Sequence, residues 1–148
     1  MRPLLVVVML LSTGASNAHG QIPLLTVSGS PSAMTVSVAT AGSQPNAVSD
    51  NSTTYSALTV LLAPKKITAQ VNSNMPTGVT LTITLAATTG AISAGAVALD
   101  AVARDVVTNL TNTLLETKGI TYRLSATVAA GVVLIASRTV TLTLTAYP

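Results

Sequence analysis

The sequence predicts an all-β protein, an antiparallel sandwich of about seven strands. Three observations carry that expectation. Short runs alternate aliphatic and hydroxyl residues with a period of two, which sends one set of side chains to each face of a strand. Thr, Val and Ile dominate those runs and favour the extended backbone, so propensity and pattern agree. Clusters of Gly, Pro, Asn, Asp and Ser separate them and supply the backbone angles that reverse a chain.

The elements follow in order. Residues 1–18 carry Arg2, an unbroken apolar run from Leu4 to Leu11, then small residues to Ala18, the layout of a secretory signal peptide. Ser16 and Ala18 sit at −3 and −1 of a cut before His19, with Gly20/Gln21 as the alternative boundary. The run is too short to span the ~30 Å of a bilayer core, which takes ~20 helical residues. Residues 19–30 form an N-terminal extension in which Leu25 and Val27 alternate toward Gly29, and residues 31–148 form the sandwich domain. Within it, strands are expected at "AMTVSVAT" (Met34, Val36, Val38 on one face), "KKITAQV" (Ile67, Ala69, Val71), "GVTLTITLA" (Val79, Leu81, Ile83, Leu85) and "ITYRLSATV" (Tyr122, Leu124, Ala126, Val128). The chain closes on "SRTVTLTLTAYP", with Val140, Leu142 and Leu144 against Thr139, Thr141, Thr143 and Thr145. Turns are expected at 29–32, 41–46, 49–52, 72–78, 88–95, 117–119 and 129–131. The stretch 96–115 also shows a helical stripe of Leu99, Val102, Val106, Leu110 and Leu114. Its β-branched centre, "DVVTN", favours two strands, around Ala96–Leu99 and Val106–Leu110.

Composition narrows the function. The chain has no Cys, Trp or Phe and only three Tyr, so its core is aliphatic and has no disulfide. Seven Lys and Arg less Arg2 leave six basic residues against four acids, a scattered net +2. That is a poor footprint for nucleic acid and suits a surface that packs against copies of itself. Lys65 and Lys66 at the start of a strand read as guards of a sheet edge. Without a strict repeat, the Thr-rich runs read as solvent-facing strand residues rather than a solenoid array.

Enzyme chemistry is short of parts, and no catalytic residue, metal ligand or cofactor is assigned. His19 is the only His. Cleavage before it would expose "HGQ", which resembles the start of secreted copper-dependent polysaccharide monooxygenases, but their brace needs a second imidazole that this chain lacks. The same shortage removes a Ser-His-Asp arrangement. Asp100 and Asp105, with Arg104 between them, read as a surface ion pair rather than a carboxylate dyad. No Gly-rich phosphate loop or calcium loop is present.

The alternating terminal strand with its penultimate Tyr147, together with "QIPLLTVSGS" at the front, resembles the two ends of chaperone–usher pilus subunits. The resemblance implies an immunoglobulin-like sandwich that lacks one strand, a periplasmic chaperone and an outer-membrane usher as partners, and delivery through the periplasm to the cell surface. It implies further that Leu25 and Val27 are donor side chains, presented ahead of Gly29, and that Val140, Leu142 and Leu144 line the acceptor groove, with Tyr147 at its end. Strand addition of this kind takes affinity from main-chain hydrogen bonds and selectivity from alternate side chains. The chain departs from that family in having no disulfide and no Gly shortly before its last strand, where Ile135 and Ala136 stand. A complete sandwich with "LLTVSG" folded back on itself, acting as a monomeric binding or adhesion module, is the alternative.

Overall fold

The alternating runs pair into two facing sheets. The computed structural model describes the backbone of residues 6–8 and all of residues 23–60 and 63–148. The strands are β1 (Val6–Val8), β2 (Leu24–Ser28), β3 (Val48–Leu58), β4 (Lys65–Val71), β5 (Val79–Leu85), β6 (Ile92–Ser93), β7 (Val97–Ala98), β8 (Arg104–Leu110), β9 (Glu116–Ala126) and β10 (Arg138–Ala146). One sheet runs β1-β10-β4-β8-β6 and the other β2-β3-β9-β5-β7, every pair antiparallel except β1 with β10. The all-β sandwich read from the sequence is therefore the fold. The order β2-β3-β9-β5 facing the pair β10-β4 follows the A-B-E-D and F-C arrangement of immunoglobulin sandwiches. Among the described residues, Val6–Val8 stand in the place beside F that strand G takes in that arrangement.

The period-two pattern decides what is buried. Ile67, Ala69 and Val71 of β4, Leu81, Ile83 and Leu85 of β5, Ile120 and Tyr122 of β9, and Val140 and Leu142 of β10 form the core between the sheets. Each opposite face carries the intervening Thr, Ser and charged residues. Tyr55 donates from its hydroxyl to the Ala86 carbonyl at 2.6 Å. The Tyr122 hydroxyl and Thr53 Oγ1 are buried without a hydrogen-bond partner, a state that costs about 1–3 kcal/mol each.

Five expectations are corrected. "AMTVSVAT" forms no strand: Met34 makes an isolated bridge and is buried, whereas Val38 is 59% exposed. Residues 49–52 are not a turn but part of β3, whose pairing with β9 shifts between Asp50 and Thr53. The extra residue in that bulge moves the inward face from Val48 to Thr53, Tyr55 and Ala57, so no single period runs through the strand. Residues 117–119 also lie in a strand, with Gly119 opposite Thr54 and open space where a side chain would stand. Lys65 and Lys66 guard no edge, because β4 lies between β10 and β8; Lys66 instead pairs with Asp105 at 3.1 Å. Val128 falls outside β9, in a short 3-10 turn over Val128–Ala130. There Gly78 is required, since its φ is +78° and a Cβ would sit 2.9 Å from both Thr127 Oγ1 and Ala130 Cβ. The stretch 96–115 is extended, as β7 and β8, and carries no helix.

Candidate functional site

The residues singled out at the two ends of the chain meet on one side of the sandwich. β2 is the edge of its sheet, pairing with β3 from Leu24↔Leu58 to Ser28↔Thr54, and it touches β10 across the gap between sheets. Leu25 is 3% exposed and Val27 packs partly against the core. Gly29 ends the strand at φ +85°, where a Cβ would lie 3.2 Å from the Ser52 carbonyl, so the chain leaves β2 through a bend that other residues strain to make.

Val140 and Leu142 are fully buried, and Leu144 packs partly against the same core. Their cover is chiefly the opposite sheet of their own domain, with Leu25 at the rim, and not an added strand alone. Tyr147 lies beyond β10, 37% exposed, and its amide donates to the Pro64 carbonyl. On its far edge β10 pairs in parallel with β1, Val6↔Arg138 to Val8↔Val140. Among the described residues, nothing pairs along the remaining edge from Thr141 to Ala146.

Asp50 fastens the bend that leads out of β2. Its carboxylate accepts from the Ser52 amide at 3.1 Å, the Ser52 hydroxyl at 2.7 Å and the Ser32 amide at 3.1 Å. Slight burial pushes its pKa up, but these hydrogen bonds outweigh that and hold it below the ordinary value of 3.8. The other acids are engaged too. Arg104 grips Asp100 across the turn from β7 to β8, and hydrogen bonds within that turn hold Asp100 low. Lys66 pairs with Asp105, and Glu116 accepts from the Thr89 amide and pairs with Lys118.

An apolar cavity of about 520 Å³ opens at one end of the sandwich, between Met34, Val36, Met75 and Leu124 and the strap carrying Val133 and Ile135. Its lining includes no charged residue. The strap is apolar on both faces, with Val132 99% and Leu134 86% exposed, and the sequence reading missed it because it alternates no polar residue against its aliphatic ones. Burial raises the Tyr55 hydroxyl to about 12, with Glu116 adding to the shift, and raises Tyr122 further, with Asp50 adding. Both rings lie in the core, which leaves Tyr147 as the exposed aromatic. Among the described residues there is no cluster of three or more metal-ligating side chains and no helix long and apolar enough to cross a membrane. His19 and the proposed cleavage sites lie outside the described residues. In comparisons with protein-family models, curated proteins and solved structures, none matches the chain.

Proposed function

We propose that the chain is a non-catalytic structural subunit of an extracellular fibre or pilus, exported with loss of residues 1–18 and polymerising by exchange of its N-terminal segment into the groove beside β10. One observation carries the reading: the only charge on the nine-residue β10 is Arg138 at its start, and on the side away from β4 no described residue pairs with Thr141–Ala146. Natural sheets blunt such edges with charge, bulges or brevity, and β10 uses none of these along its free length. Withdrawal of β2 would open a groove between β3 and β10. The same segment of a second copy refills it, with Leu25 and Val27 beside Val140, Leu142 and Leu144.

The energetics favour exchange without a large net gain from apolar burial. Leu25 gives up ~1.5–3 kcal/mol of burial in its own chain and regains it in the next. New main-chain hydrogen bonds along β10 supply the net drive. A periplasmic chaperone covering the edge during transit, and an usher, belong to this reading. A second reading, a monomeric adhesion module, draws support from β2, which lies in its own domain with Leu25 buried.

Sedimentation of residues 19–148, alone and mixed with a chain starting at Ser30, separates the two. Polymers that grow with time, and that vanish in Thr141→Lys while stability changes by no more than about 0.5 kcal/mol, support the fibre. A monomer at every concentration, with or without truncated acceptor, leaves the adhesion module.

A further inference from the structure

Residues 25–28 read LTVS and residues 34–37 read MTVS. The first quartet is paired on β3; the second lies beside it in the chain and forms no strand. Both nevertheless show the same sequence of burial, with Leu25 and Met34 buried, Thr26 and Thr35 exposed, Val27 and Val36 intermediate, and Ser28 and Ser37 exposed. We infer that the edge of β3 is a strand-binding site with two alternative occupants, and that residues 34–37 take the place of residues 25–28 when the first segment leaves for a neighbouring subunit. The inference takes its purpose from the strand-exchange reading above.

The physical case rests on fit. Leu to Met conserves volume, and Met adapts to irregular space, so Met34 suits the position of Leu25 opposite Ala57. Thr35, Val36 and Ser37 then repeat the side chains that now face Ser56, Tyr55 and Thr54. Met34 and Val36 belong to the margin of the core, where they also line the wall of the apolar cavity, so on that side they give up fewer contacts on moving than residues packed all round.

An asymmetry sets the resting state. Behind the first quartet stands Gly29 at φ +85°, which turns the chain close past Ser52. Behind the second stands Val38, and a β-branched side chain does not hold that conformation. The first segment is therefore the favoured occupant in a single chain, with Asp50 latching Ser32 between the two. The second serves once the first is withdrawn, so the donor's departure leaves no open edge behind it.

Amide hydrogen exchange read by mass spectrometry on the 148-residue chain tests this. In the wild type, residues 25–28 should exchange at least about tenfold more slowly than residues 34–37. Leu25→Asp expels the first quartet from the core; the protein should stay folded and the order of protection should invert. Exchange at 34–37 as fast as in the wild type, or loss of the fold, overturns the inference. The paired change Leu25→Met with Met34→Leu should narrow the difference between the quartets several-fold, and an unchanged difference counts against it equally. Inverted protection without polymers would keep the second occupant and remove the fibre; polymers without inversion would do the reverse.

Discussion

The two lateral sides of the sandwich are built in opposite ways. On one side, β6 and β7 are two residues each, and a single segment passes from the edge of one sheet to the edge of the other. Ser93 anchors it by donating to the Leu85 carbonyl at 2.6 Å, and the Ala94 and Leu99 amides bond to Val106 and Leu81. Short, strand-switching edges leave little backbone to recruit another chain. On the other side stand the five residues of β2 and, in the facing sheet, the nine of β10, which among the described residues are flanked by β1 over Arg138–Val140 alone. One side is sealed by the fold, and the other depends on what the termini do.

Substitutions at matched positions on the two sides should break or sharpen this contrast. The largest expected difference is between Leu142→Ala, at 1% exposure, and Ile92→Ala, at 60%. The first should cost about 2–5 kcal/mol and the second no more than about 0.5 kcal/mol, read from urea unfolding midpoints. Equal losses would mean that both sides are core and that the open side is not distinct. Gly29→Ala should cost about 1–2 kcal/mol, because it places a side chain in the left-handed region against the Ser52 carbonyl. It should also raise hydrogen exchange in residues 24–28 before the rest of the molecule.

The smallest effect is a pH dependence at the bend. Asp50 titrates lower in the folded chain than its ordinary 3.8, so its contribution is present above that value and fades as pH falls through the lower folded pKa. The gap in urea midpoint between wild type and Asp50→Asn should stay constant above about pH 5 and close under more acidic conditions. A gap that widened on acidification would mean that the Ser32 and Ser52 hydrogen bonds do not favour the charged carboxylate.

Much of the sandwich was legible because the alternating runs of β4, β5, β9 and β10 bury the residues that their period marks. The failures have specific physical causes. A bulge hid β3, since one extra residue inverts the pattern partway along the strand. Gly119 read as a turn, but a glycine on an open sheet face stays extended when Thr54 of β3 pairs with it and the Ala86 amide, just past β5, donates to its carbonyl. "AMTVSVAT" carries the pattern of a strand but makes only the isolated bridge at Met34, while the edge of β3 is filled by "LLTVS".

By itself the sequence determined the all-β class, the aliphatic core and the inward faces of Val140, Leu142 and Leu144, since strand periodicity and apolar burial are local properties. It also picked out Leu25 and Val27 as a coherent segment. Only the tertiary structure decided which strands stand at an edge, that β2 and β10 share one side, and that Lys65 and Lys66 lie within a sheet. The reason is that an edge is defined by the absence of a neighbour, and neighbours in a sandwich are set by pairings between residues far apart in the chain.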